Sequence, residues 1–258
     1  VTVTVTAPHD PELAISATSL TIGWPGALLL EDASFDVRRG EIFAILGRSG
    51  SGKSTLLRHL VGLETPIRGT IAVLGHPPAP GQSEEPPSFG VTFQSGALLA
   101  SLTVGDNVGL PLRHWTPLRG ELLDALVVAK LAVVGLQNAA PKLPSELSGG
   151  MRTRAAIARA MALEPSILFL DEPTTGLDPV ATAEFDNLLA VLNRALGLTV
   201  VIVTHDLPTI LGIAGRCIMV DRESRSIIAS GDPRSLSADS EDERVHTFFH
   251  PPAPEARL

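Results

Sequence analysis

Leu46-Gly47-Arg48-Ser49-Gly50-Ser51-Gly52-Lys53-Ser54-Thr55 is the stretch whose reading decides the fold. It follows Glu41-Ile42-Phe43-Ala44-Ile45, a short apolar run that reads as a buried strand, and precedes Leu56 to Leu60, which reads as a helix. The stretch fits G-x-x-x-x-G-K-[ST] at every specified position. Glycines let backbone N–H groups turn inward on an anion, and the following helix aims its positive end at the same point. Gly47 through Thr55 are therefore expected to wrap a polyphosphate. Lys53 would reach the β- and γ-phosphates, and the Ser54 hydroxyl would sit on Mg²⁺. A glycine-rich turn before an ordinary helix is the plainer alternative, and the strand and helix flanks argue against it.

A second signal lies at Ile167-Leu168-Phe169-Leu170-Asp171-Glu172. An apolar strand ending in adjacent carboxylates places them at the carboxyl edge of a sheet, where open α/β folds bind ligands. Asp171 is expected to hold Mg²⁺, directly or through water. Glu172 is expected to polarise an attacking water as general base. A third signal is Leu147-Ser148-Gly149-Gly150-Met151. Ser148 caps the helix that follows, and that cap is also a second anion site. One nucleotide does not need two such sites in one chain; two nucleotides shared between two copies do.

Composition narrows the classes. The chain of 258 residues allows one large domain or a domain with a lobe, and 44% hydrophobic residues suffice for a core. A formal net charge of −8 argues against general nucleic-acid binding. Lysine occurs only at 53, 130 and 142, so one of the few sits in the phosphate loop. The single cysteine, Cys217, rules out a disulfide within the sequence and lies in an apolar run that reads as buried. Val1 to Thr6 lack the basic start and apolar core of a signal peptide. Leu122 to Leu136 is too short and too charged to span a bilayer.

Taken in order, residues 1–12 are expected to be loose. Leu13–Ile22 and Ala33–Val37 read as strands around a turn at Trp24-Pro25-Gly26. A strand is expected over Gly69–Gly75, a solvated loop over 76–88, and a short strand over Phe89–Phe93 ending at Gln94. Thr103 to Leu147 has helical patterning, with Leu122, Leu123, Leu126, Val127 and Lys130 at helical spacing. This block reads as a helical lobe, about 95–162, inserted in an α/β core. Asp178 and Pro179 open a helix as N-cap and first residue, and Thr199–Thr204 is a further buried strand. Strands alternating with helices imply parallel pairing. Val245, Phe248 and Phe249 read as anchors of a docking tail, 232–258, while His246 and His250 have no third ligand nearby.

In this order the motifs resemble the ATP-binding cassette (ABC) family, over nearly everything from Leu13 to Gly231. Gly47–Ser54 matches Walker A, Ile167–Glu172 Walker B, and Leu147–Met151 the L-S-G-G-Q signature, with Met151 in place of the usual glutamine. Gln94 falls at the Q-loop, Gly176-Leu177-Asp178-Pro179 at the D-loop, and His205 at the switch histidine. The resemblance implies a P-loop NTPase fold: a RecA-like core, an antiparallel β lobe and an inserted α-helical lobe, spanning 13–231. It implies ATP and Mg²⁺, with Ser54, Gln94 and Asp171 toward the metal and Glu172, His205 and Gln94 in catalysis. It also implies a head-to-tail dimer, each ATP lying between one copy's Walker A and the other's Ser148, Gly149, Gly150 and Asp178. The aromatic that stacks on adenine would be Trp24; a turn tryptophan packed on its neighbours is the alternative.

Phe89–Leu99, Thr103–Val108, Ser148–Arg152 and Glu243–Phe249 further resemble the ATPase subunit of Mla/MCE-type phospholipid transporters. That resemblance implies a peripheral subunit on the cytoplasmic face of the inner membrane. Its partners would be an integral membrane permease and an MCE-domain lipid-binding protein, not nucleic acid. An ABC importer for another cargo and an ABC ATPase without a membrane partner are the alternatives. Two cassettes in one chain or a long coiled-coil insertion would mark the latter, and neither is present in the sequence.

Overall fold

The computed structural model describes residues 12–24, 26–78 and 85–251. Pro25 of the expected turn, part of the 76–88 loop, most of the loose start and the last residues of the tail lie outside them. The chain begins with two long strands, β1 (Leu13–Trp24) and β2 (Ala27–Arg38). Then come β3 (Ile42–Leu46), α1 (Lys53–Leu60), β4 (Arg68–Val73) and β5 (Phe89–Thr92). Helices α2 (Val104–Trp115), α3 (Gly120–Val133) and α4 (Gly149–Ala160) follow. The chain continues through β6 (Ile167–Asp171), α5 (Pro179–Leu196), β7 (Thr199–Val203), α6 (Leu207–Ile213), β8 (Arg216–Asp221) and β9 (Ser226–Gly231). It closes with α7 (Pro233–Asp239) and α8 (Glu243–Phe249).

Two sheets form. The larger has the order β5-β6-β7-β3-β8-β9, parallel throughout except that β9 returns antiparallel to β8. Strands β3, β6 and β7 are buried at every residue, which is why their sequences are continuous apolar runs rather than alternating ones. The smaller sheet, β2-β1-β4, is antiparallel. Its inward residues, among them Leu20 and Val37, join Phe43, Leu57 and Phe169 in one core. On the other side of the large sheet, Val104, Leu123, Leu131 and Ala155 of the helical lobe share a second core with Leu168 and Leu170.

Two expectations shift. β2 runs from Ala27, not Ala33, because Glu31 and Asp32 sit at an irregular register with Asp32 at φ 48°, which interrupts the apolar alternation. On α3 the buried stripe is Leu123, Val127 and Leu131, whereas Leu122 is 71% exposed. That helix is apolar nearly all round, so spacing alone could not choose its inner face. Between Gln94 and α2, the buried Asn107 ties down the connecting loop. Its amide donates to the carbonyls of Leu99, Leu102 and Thr103 and accepts from Leu99 N–H at 2.8 Å.

The tail departs from its expected role as a docking patch. Val245 and Phe249, four residues apart and so on one face of α8, are 0% and 5% exposed and pack into the chain's own core. Their apolar surface is already covered and is not offered to a partner. Phe249→Ala is expected to cost about 3–5 kcal/mol of unfolding free energy, the range for a buried phenylalanine left as a cavity. Urea denaturation reads this directly; a loss below ~1 kcal/mol, within the range of surface substitutions, would mean that α8 is not packed as described.

Candidate functional site

The carboxyl edge of the large sheet gathers the motifs. Leaving β3, the chain turns at Gly47, where φ is 147° and an added Cβ would collide with the Val220 carbonyl. Only glycine fits there. The loop then climbs through Gly50 and Gly52, both at positive φ, into the first turn of α1. Gly52 as N-cap has no side chain to satisfy the helix's free N–H groups, so they stay available to an anion.

Lys53 starts α1 and folds back, its Nζ donating to the carbonyls of Gly47 at 2.9 Å and Arg48 at 3.1 Å. Burial lowers its pKa, and the charges of Glu172 and Asp171 push it back up. Those two carboxylates thus help a desolvated ammonium keep its proton. Ser54 Oγ donates to Asp171 Oδ1 at 2.9 Å, joining the loop to the end of β6. Burial raises the Asp171 pKa, while the Ser54 hydrogen bond opposes that rise. A hydroxyl and a buried carboxylate are the oxygen donors a hard divalent cation prefers. Ser51 Oγ, which has no hydrogen-bond partner among the described residues, is buried against Gly47 and does not line the cleft. The other residues present fit both a polyphosphate and Mg²⁺.

Glu172 stands one residue past β6 at φ 48°, an uncommon conformation for a residue with a side chain. Its N–H donates to the Val203 carbonyl at 2.8 Å, which holds the turn. Its carboxylate oxygens lie 3.0 Å and 2.8 Å from His205 Nδ1, and Thr175 Oγ1 donates to it at 3.3 Å. His205 follows β7, the strand next to β6, so the sheet itself sets this pairing.

An open cleft of about 650 Å³ covers this edge. Trp24, Gly47, Arg48, Ser49, Gly50, Gly52, Lys53, Ser54, Thr55, Gln94, Glu172 and His205 line it, whereas Ser51 and Asp171 do not. Trp24 is half exposed, with Leu29 beside it on the wall. Four lining residues were not expected as site residues: Leu29, Thr175, Arg222 and Phe248. No motif marks them; β2 brings Leu29 to the cleft, and the β8–β9 turn and α8 bring the last two.

Ser148, Gly149, Gly150 and Asp178 do not line their own chain's cleft. Ser148 caps α4, accepting from Met151 N–H at 3.3 Å, and Asp178 caps α5, accepting from Ala181 N–H at 2.9 Å. The two caps are neighbours. A Cβ on Gly149 would lie 3.0 Å from Leu177, and one on Gly150 3.4 Å from Ala181. The glycines let the signature turn seat closely on Leu177 and the first turn of α5.

An edge with a cradle for phosphates, oxygen donors for a hard cation and a carboxylate for water makes this fold one of the nucleoside triphosphatases. Comparison with known proteins narrows that class. Residues 30–175 match the ABC transporter family. The chain is 44% identical over 226 residues to the intermembrane phospholipid transport system ATP-binding protein MlaF of Escherichia coli K12, covering 86% of this chain and 82% of that one. It is 37% identical over 242 residues to the probable ribonucleotide transport ATP-binding protein mkl of Mycobacterium tuberculosis H37Rv, covering 92% of this chain and 67% of that one. Among solved structures, cbiO1 from Clostridium perfringens, part of the ABC transporter complex cbiONQ, superposes with a TM-score of 0.79 at 28% identity, over 88% of this chain and 92% of that one. A dimeric post-hydrolysis structure of the cassette MJ0796, bound to ADP and Pi, superposes with a TM-score of 0.74 at 28% identity, over 84% and 98%. The chain belongs to the ABC transporter family, as an ATP-binding, ATP-hydrolysing subunit.

Proposed function

We propose that this subunit works as a head-to-tail pair of cassettes that drives phospholipid movement through a separate membrane permease. The observation that carries the pairing is the position of Ser148, Gly149, Gly150 and Asp178: side by side, off their own cleft, and free to face the cleft of a second copy. The dimeric form of the MJ0796 cassette supports it. Within each cleft, Gly47–Thr55 hold the phosphates of ATP, and Lys53 supplies the point charge at the β- and γ-phosphates. Ser54, Asp171 and Gln94 would hold Mg²⁺, which when bound would neutralise charge on the phosphate oxygens. Glu172 takes a proton from water as the water oxygen bonds to the γ-phosphorus. The bond from that phosphorus to the bridging oxygen breaks, and its electron pair leaves on ADP. His205 holds the Glu172 carboxylate in place and would contact the γ-phosphate of a bound nucleotide.

Adenine stacks on Trp24. Trp24→Ala is expected to weaken ATP by roughly 1–3 kcal/mol and Trp24→Tyr to restore most of it, as for other base-on-aromatic contacts. Nucleotide titration decides the matter, and an unchanged affinity in the alanine variant would make Trp24 a packed turn residue instead.

The cargo assignment rests on the relationship to MlaF. None of the helices among the described residues is long and apolar enough to cross a membrane; in this reading the force of hydrolysis passes to another subunit. The loop pinned by Asn107, with Leu99 half exposed, and the helical lobe form the surface for a permease on the cytoplasmic face of the inner membrane. An MCE-domain lipid-binding protein completes the assembly. The relationship to mkl favours a second cargo, a ribonucleotide. Purification from membranes in mild detergent separates the two. A permease and an MCE protein carrying glycerophospholipid are expected; a complex free of lipid, whose ATPase is stimulated by ribonucleotides, would favour the second reading.

A further inference from the structure

Arg222 sits in the β8–β9 turn, outside every motif, and lines the nucleotide cleft. Its guanidinium lies over the phosphate loop: a Cβ built on Gly50 would be 3.4 Å from Arg222 Nη1. Arg222 has no ion pair or hydrogen bond among the described residues. Its neighbour Asp221 is strongly held. Asp221 Oδ2 accepts from Ser224 N–H at 2.9 Å, from Ser224 Oγ at 2.7 Å and from Arg244 Nη1 at 3.0 Å. Arg244 belongs to α8 and is itself fixed by Asp242, at 2.6 Å and 3.0 Å. Since α8 is anchored in the core by Val245 and Phe249, a rigid path runs from the core to the turn that carries Arg222. The same helix places Phe248 on the cleft wall.

We propose that Arg222 is an additional ligand for the phosphates of the bound nucleotide, and that Arg244 of α8 is the residue that positions it, acting through Asp221. A guanidinium beside a phosphate cradle is a bidentate donor matched to phosphate oxygens. The cradle's own motif brings two cations to the cleft, Arg48 and Lys53, and the Lys53 Nζ is already shared with two carbonyls. This rests on the reading of the cleft as the ATP site. It gives the C-terminal helix a function: α8 completes the nucleotide site of its own chain.

The test is MgATP titration of the full chain at fixed ionic strength, repeated at higher salt. Arg222 is an exposed turn residue, so Arg222→Ala leaves the fold intact. Its Kd is expected to rise about tenfold, ~1.4 kcal/mol, and its salt dependence to become shallower, since one charge contact is gone. Arg222→Lys, which keeps the charge but not the fork, should fall between. Arg244→Ala should weaken ATP in the wild-type background but add nothing in the Arg222→Ala background, as expected of a residue acting only through Arg222. Wild-type affinity in Arg222→Ala, alongside lost affinity in Lys53→Ala, overturns the proposal and leaves the ATP site standing. Wild-type affinity in both overturns the site. An equal further loss from Arg244→Ala in the two backgrounds overturns its positioning role.

Discussion

Replacing Lys53 with alanine is expected to raise the Kd for ATP at least ~100-fold, the equivalent of losing two charge-assisted hydrogen bonds, and to abolish turnover. The ammonium is the buried cation of the phosphate loop, whose other motif cation, Arg48, is exposed. The fold should survive. Nζ bonds only to the Gly47 and Arg48 carbonyls, and removing a partly desolvated charge also removes its burial cost. Calorimetric titration paired with a thermal melt separates the two effects. An unfolded variant, or one with wild-type affinity, would contradict the role assigned to Lys53.

Glu172→Gln is expected to separate binding from chemistry. Turnover should fall about 10²–10⁴-fold, as for loss of a general base. ATP should bind as well as before or better, because one negative charge beside the γ-phosphate has gone. The geometry limits the side effects. The Glu172 backbone is held by Val203, and glutamine keeps the shape that meets Thr175 and His205. Single-turnover measurement of phosphate release checks this, and turnover near wild type would remove Glu172 from the general-base position.

The chemistry of this chain was more legible than its periphery. The phosphate loop, the Asp171-Glu172 pair and the cap at Ser148 could be read from residues alone because each needs particular side chains at fixed spacing. Glycine is forced at Gly47 by the Val220 carbonyl, and the run Ile167–Leu170 is continuous because both its faces are covered. The inner face of α3 could not be read, since Leu122 and Leu123 are equally apolar and only packing against α2 and α4 chooses between them. Helices α6, α7 and α8 have seven residues each, too short for a periodic signal to stand out. Hence the apolar residues of α8 looked like a free patch, although Val245 and Phe249 close the chain's own core. Arg222 and Phe248 are site residues by virtue of tertiary contact alone. Nothing local in Asp221-Arg222-Glu223 distinguishes that arginine from any other on a polar turn.

The central claim is that each ATP is completed by the second copy's Ser148. Sedimentation of Glu172→Gln with ATP and Mg²⁺, beside the double variant Glu172→Gln, Ser148→Arg, tests it most directly, with the permease added where the isolated cassettes pair weakly. Ser148 caps α4 without touching its own cleft, so the arginine should spare ATP binding, cost no more than a helix cap (~1 kcal/mol) and obstruct only the opposing copy. The account predicts an ATP-dependent dimer for the single variant and an ATP-bound monomer for the double. A double variant that dimerises on ATP as the single one does would contradict it, and would return the whole reaction to one chain.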